Sequence, residues 1–220
     1  MDRVCEPELM DDAEQALAYA QADFSAGDQA LVERLDQLFP AGLGARLLDL
    51  GCGPGNISFL LAERHGQATV LGVDGAEAML TLARQRLQQQ PLLVGRLGFR
   101  QALLPCPELA GGFSAVVSNS LLHHLHNPRV LWEALRQLAA PGACIYMKDL
   151  RRPSSSGAAE QLRQHYLAEA PPVLQRDYVA SLHAAFRPEE VQQQLVAAGL
   201  KGLRVEPLED RYLEVWGQLA

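Results

Sequence analysis

Three glycines at alternate positions, Gly51, Gly53 and Gly55, close the apolar run Arg46-Leu47-Leu48-Asp49-Leu50 and are followed by Asn56. Such a run reads as a buried strand entering a tight turn and then a helix. Glycine permits positive φ and has no side chain to hold a ligand off the backbone, so the turn suits a bound molecule. A dinucleotide fingerprint would place glycine where Asn56 stands, and a phosphate loop would continue in Gly-Lys-Ser/Thr, which is absent. A second apolar run, Thr69-Val70-Leu71-Gly72-Val73, ends in Asp74 and Gly75. A carboxylate at that point can accept hydrogen bonds from both hydroxyls of a ribose. Turn and acid together point to an adenosine-containing ligand without a diphosphate.

A second set of reactive side chains, His123, His124 and His126, follows the fourth expected strand, at the carboxyl edge where open α/β sheets bind ligands. An imidazole there can take a proton from a hydroxyl or an activated carbon acid. His124 is the candidate base and His123 a candidate substrate contact. No carboxylate or thiolate accompanies the histidines at ligand spacing, so a metal is discounted. Arg151 and Arg152 follow the fifth strand at the same edge, where one guanidinium can hold an anionic substrate through two parallel bonds, Arg151 being the candidate. Tyr178, with Tyr166, His183, Phe186 and Arg211, belongs to the segments that can line a substrate pocket.

These groups must be positioned by alternating strands and helices. Asp11 or Asp12 can cap a first helix carrying Leu17, Ala20 and Phe24, and Asp28 a second carrying Leu31, Leu35 and Leu38. Lying outside the alternation, both are expected over the ligand edge, with Tyr19 and Phe24 as lid residues. After the glycine turn come a helix over 57–65, a strand over 69–74 and a helix over 76–90, whose Met79 sits one turn in, within reach of an adenine ring. Strands follow over 97–102, 113–119 and 143–149, with a helix begun by Asn127-Pro128 before the last. That rhythm predicts a parallel sheet wound on both faces. A polar connection and two helical stretches around 160–169 and 173–185 interrupt it as an insertion, the usual place for substrate contacts. A helix from Pro188 and two strands joined by a short turn then predict a closing antiparallel hairpin. The expected fold is therefore α/β: a Rossmann-like, doubly wound seven-stranded sheet, mostly parallel, with N-terminal lid helices and a helical insertion after the fifth strand. No internal repeat or second domain is visible, so 1–220 reads as one domain, with a ligand-binding core over 45–150.

With 220 residues, 48% of them hydrophobic, the chain can bury a full core without staples. A formal net charge of -7 argues against an extended nucleic-acid surface. Cys5, Cys52, Cys106 and Cys144 lie far apart and form neither a zinc pattern nor a disulfide framework, as expected in a reducing compartment. The N-terminal stretch is acidic without an apolar core and no run reaches membrane-span length, so a cytoplasmic protein is expected, monomeric or homodimeric.

Leu47-Leu48-Asp49-Leu50-Gly51-Cys52-Gly53-Pro54-Gly55 and Asp74 resemble the first motif and the ribose-binding acid of the class I S-adenosylmethionine-dependent methyltransferases. Leu121-Leu122-His123-His124-Leu125 with Asn127-Pro128, then Pro141-Gly142 before a strand, is similar to the branch containing the ubiquinone and menaquinone methyltransferases. The resemblance covers about residues 45 to 150, with topology added by 188 to 217. It implies S-adenosyl-L-methionine (SAM) as cofactor and S-adenosyl-L-homocysteine (SAH) as product. Gly51, Gly53 and Gly55 are implied for the methionine and ribose portion, Asp74 for the ribose hydroxyls, Gln101 and Ala102 for adenine, and the Asn119 backbone near the methionine amine. With Tyr19, Asp49, Cys52, Asn56, Gly75 and Met79 they form the expected cofactor set. Gln101 stands where that branch often has an acid, Ser114 replaces the usual acid opening the fourth strand, and Ala143 replaces a second glycine after Pro141.

The activity this implies is in-line methyl transfer to a small molecule. Asn119-Ser120-Leu121-Leu122 differs from the Asn/Asp-Pro-Pro-aromatic stretch expected of nucleic-acid base methylation, which with the acidic charge favours a small acceptor. The rivals are a non-catalytic SAM-binding protein and a nicotinamide-dependent reductase. Asn56 and the lack of any Tyr-x-x-x-Lys pair disfavour the reductase.

Overall fold

The computed structural model describes residues 1–219. Seven strands, β1 (Arg46–Leu50), β2 (Thr69–Asp74), β3 (Leu97–Gln101), β4 (Phe113–Asn119), β5 (Ala139–Leu150), β6 (Leu203–Leu208) and β7 (Tyr212–Gln218), form one sheet in the order β3-β2-β1-β4-β5-β7-β6. The first five run parallel, and β7 pairs antiparallel with both β5 and β6. This is the expected seven-stranded sheet with its closing hairpin.

Successive residues of the central strands face opposite sides, which divides the core in two. Leu47, Ala115, Val117 and Tyr146 pack against α2 (Ser25–Leu38) and α3 (Asn56–Arg64) through Leu31, Leu35, Phe59 and Leu61. Leu48, Leu50, Val116, Ile145 and Met147 face the other way, against α5 (Arg129–Leu138) and α8 (Pro188–Ala197) through Leu131, Trp132, Leu135, Val191 and Leu195. Trp132 is fully buried, and its indole N–H donates to Gln194 Oε1 at 3.1 Å, joining these two helices. α1 (Ala13–Gln21) packs through Ala16 on Ala76 and Met79 at the start of α4 (Glu77–Gln88). The insertion is the pair α6 (Ser156–Leu167) and α7 (Pro172–Ala184).

Of the two candidate caps of α1, Asp12 takes the role, accepting Gln15 N–H at 2.9 Å, while Asp11 accepts Ala78 N–H at 3.1 Å in the first turn of α4. Two local expectations change. α2 begins three residues before Asp28, which is therefore a buried residue of the helix rather than its cap. β5 begins at Ala139, through an irregular pairing with Phe113, so Pro141-Gly142 lies within its span instead of before it.

Candidate functional site

Sheet order reverses between β1 and β4, and ligands of open α/β sheets bind beyond the strand ends at such a point. A cavity of about 1350 Å³ opens there, lined by the ends of β1, β2, β4 and β5 and roofed by α1, the start of α2, and the inserted helices. It is larger than the roughly 300–1,000 Å³ of most small-ligand sites.

The glycine turn is fastened to its neighbour strand. Gly51 and Cys52 N–H both donate to Val73 O, at 2.8 and 3.1 Å. Gly55, at φ 87°, forms the N-cap of α3. A side chain on Gly55 would come within 2.8 Å of Phe99, so this glycine serves packing, and it does not border the cavity. Gly53 differs. At φ 52° it borders the cavity, and a Cβ there would meet nothing within 4 Å. The backbone is bare where a ligand would lie against it.

Asp74 is held by the same turn: Oδ2 accepts Gly53 N–H and Oδ1 accepts Ala76 N–H, each at 2.8 Å. Burial raises its pKa against those bonds. Asp49 is buried beneath the turn, where Ser58 Oγ donates to Oδ2 at 2.6 Å, and burial lifts its pKa to about 7. Tyr19, Cys52, Asn56, Gly75, Met79, Ala102 and Asn119 all line the cavity, and Tyr19 stacks on Phe24 with ring centroids 4.8 Å apart. Gln101 does not line it: exposed, its amide donates to Gly75 O at 3.0 Å. The cavity lining thus gives no support to the adenine contact expected of the Gln101 side chain, whose Oε1 makes no bond among the described residues.

Across the cavity, a short 3₁₀ turn (Leu122–His124) places the histidines. His123 is buried with Nδ1 2.5 Å from Asp149 Oδ1, while Asp149 Oδ2 accepts Leu122 N–H at 2.6 Å. Its Nε2 lies 3.5 Å from Glu6 Oε1, and the same oxygen is 3.2 Å from His124 Nδ1. Burial works against the charged form of His123, but the Asp149 carboxylate outweighs it and raises the pKa. His124 shares Glu6 but has no bond to Asp149; burial, aided by the neighbouring His123, drops its pKa to about 3. A group that holds a proton so weakly is a poor base near neutrality. The fold also brings to the histidines a carboxylate that their sequence spacing does not show: ligand atoms of Glu6, His123 and His124 lie within 4.8 Å of one another.

Of the expected substrate contacts, His123 and Tyr178 line the cavity and Arg151 does not. Arg151 donates to Glu209 O at 2.9 Å, and Arg152 is buried against Glu190 and Ala185 O. Asp28, Lys148 and Asp149 were absent from the expected site, as was Glu6. Lys148-Asp149 had a legible signal, a polar pair ending an apolar strand at the ligand edge. Glu6 had none, since its place depends on the N-terminal segment folding back over the histidine loop.

A family model described as a methyltransferase domain matches residues 48–145. The ubiquinone biosynthesis O-methyltransferase of Acinetobacter baylyi is 30% identical over 178 residues, 77% of this chain and 71% of the relative. The trans-aconitate 2-methyltransferase of Deinococcus radiodurans is 40% identical over 117 residues, 51% of this chain and 42% of that protein. Among solved structures, a SAM dependent methyltransferase from Aquifex aeolicus superposes with a TM-score of 0.66 at 18% identity, covering 95% of this chain and 99% of its own. The plantazolicin methyltransferase BamL, solved in complex with SAH, superposes with a TM-score of 0.71 at 15% identity, covering 94% and 91%. The sheet order, the glycine turn facing an acidic strand end and these similarities agree, and the chain belongs to the class I S-adenosylmethionine-dependent methyltransferases.

Proposed function

We propose that the chain methylates a hydroxyl of a small molecule held in this cavity, with His123 rather than His124 as the base. The observation that supports this reading is that the Gly53–Asp74 turn and the Asp149–His123 pair open onto one cavity. In the family the bound cofactor supplies a methyl group already activated on a sulfonium. What remains for this chain is to hold the reactants in line, worth about 7–11 kcal/mol for a reaction of this kind.

Gly53, bare toward the cavity, leaves room for the cofactor beside the turn. Each Asp74 oxygen accepts one backbone N–H and keeps a lone pair to accept from the ribose hydroxyls. Ala102, Met79 and Tyr19 supply apolar wall on the adenine side, while Asp49, Asn56 and Asn119 enclose the methionine side. α1 and the start of α2 close over the ligand and exclude water. Asp149, bonded at Nδ1, orients His123 and stabilises the imidazolium that forms when Nε2 takes the acceptor's proton. Glu6 beside Nε2 can pass that proton on.

We read residues 1–220 as one functional unit acting in the cytoplasm, a location supported by three buried free thiols. Among the described residues no helix is long and apolar enough to cross a membrane. The test is incubation with methyl-labelled SAM and a panel of small phenols, catechols and organic acids, read by mass. Label in a small product supports the proposal. Label confined to protein or nucleic acid, or a bound cofactor that never transfers, contradicts it.

A further inference from the structure

One part of the cavity is walled by Leu150 at the end of β5, by Leu167 and Leu174 of the inserted helices, and by Tyr166, Tyr178 and Tyr212. Into this apolar surround come two cations. The Lys148 ammonium lies 4.2 Å from the Tyr212 ring centre, and the Arg211 guanidinium lies 4.8 Å from the same ring and 3.2 Å from that of Tyr166. Both residues border the cavity.

Neither cation is held in an ion pair, although the Glu209 charge acts on Lys148. Among the described residues the ion pairs occupy Arg34, Arg64, Arg84, Arg129, Arg152, Arg163 and Arg176, and none includes Lys148 or Arg211. The Arg211 Nε and the Tyr178 hydroxyl are buried without a hydrogen-bond partner. The nearby acid Asp210 is spent on Tyr166, accepting its hydroxyl with both oxygens at 2.9 Å. These groups are also close to one another. Burial pushes the Lys148 pKa down against the opposing pull of Glu209, with the Arg211 charge adding to the fall, and Arg211 pulls down the Tyr178 pKa that burial raises. Buried donors without partners and like charges held together are each unfavourable, and one bound anion relieves both.

We infer that Lys148, Arg211 and Tyr178 form the seat of a carboxylate on the methyl acceptor, which is therefore an organic acid with an apolar or aromatic body. The inference rests on the reading of this cavity as the methyl-transfer site, and it moves anion recognition from Arg151 to residues the strand ends bring forward. A singly charged group suits the seat better than a phosphate dianion, because Asp28 lines the same cavity and Glu209 adjoins Lys148.

The test uses the SAH-saturated protein and three probes, benzoate, benzamide and phenyl phosphate, titrated by calorimetry. Benzoate is expected to bind at least about tenfold more tightly than benzamide, as loss of a charge-assisted bond implies. Lys148→Met and Arg211→Gln are each expected to remove that preference while leaving SAH affinity and benzamide binding unchanged. Equal binding of benzoate and benzamide, or of neither, with SAH still bound overturns the carboxylate seat alone. Tighter binding of phenyl phosphate assigns the seat to phosphate and likewise overturns it. Failure of the wild-type protein to bind SAH overturns the cofactor reading as well.

Discussion

His123 and Asp149 are joined Nδ1 to Oδ1 at 2.5 Å, and the second oxygen of Asp149 holds Leu122 N–H at 2.6 Å, so one carboxylate from β5 fixes both the ring and the turn that carries it. The neighbouring His124 is in ring contact, with centroids 4.2 Å apart, and is 3.2 Å from Glu6, yet it lacks the bond to Asp149, and burial lowers its pKa to about 3. Adjacent residues of the same type thus have opposite acid–base character. His123→Ala is expected to lower kcat by about 10²–10⁴ with SAH affinity nearly unchanged, whereas His124→Ala changes kcat much less. Equal losses for the two variants would remove the assignment.

The pH profile follows from the same pair. His123 must be neutral to accept a proton, and Asp149 raises its pKa above 6.5, so turnover is expected to rise with pH through an apparent pKa above that value. In Asp149→Asn the raising charge is gone and burial, which lowers the pKa, prevails. The acid limb of kcat should then move to lower pH even as the maximum falls. A limb that stays in place would show that another group titrates.

Gly53 and Gly55 are expected to separate ligand binding from folding. Alanine at Gly53 costs about 1–2 kcal/mol of backbone strain and places its methyl in the cavity, so SAH affinity should fall by at least about tenfold. Alanine at Gly55 adds to a similar strain a 2.8 Å approach to Phe99, itself packed on Phe59 with centroids 5.7 Å apart. Denaturant unfolding should therefore show Gly55→Ala as the less stable variant, and calorimetry should show Gly53→Ala as the larger loss of SAH binding. The reverse order on both readouts would contradict the cradle.

Asp28 exposes a tension between stability and binding. Only 7% exposed, it titrates near 6 because burial penalises its charge more than Asn56 and Lys148 compensate it. A carboxyl whose pKa rises on folding binds extra protons in the folded state, so its contribution to stability is lost as pH climbs from about 4 to 6. Asp28→Asn is accordingly expected to raise unfolding stability at pH 7.5, by up to about 3 kcal/mol, and to change it little at pH 4. Unchanged stability at pH 7.5 would show that the charge is compensated.

The sheet and its cofactor edge were legible because strand periodicity, glycine punctuation and a strand-ending acid are local signals. Met79, Tyr19 and Asn119 needed only that topology to be placed. The acceptor side was less legible. Asp28 looked like a cap because capping chemistry is local, while its burial comes from α2 lying over β1. Arg151 looked free for an anion, but its guanidinium reaches the carbonyl of Glu209 in the turn before β7. Glu6 reaches the histidines from 117 residues away in sequence, a contact no local pattern encodes. His123 and His124 are indistinguishable as letters, and only the carboxylate of Asp149 separates them.

Isothermal titration of SAH into the wild-type protein, Asp74→Asn and Asp74→Ala tests the centre of this account most directly. One SAH is expected to bind per chain, with affinity at least about tenfold weaker in Asp74→Ala than in the wild type, and Asp74→Asn, which keeps one acceptor oxygen, falling between. Wild-type affinity in Asp74→Ala, with the protein still folded, would contradict a ribose held at the end of β2.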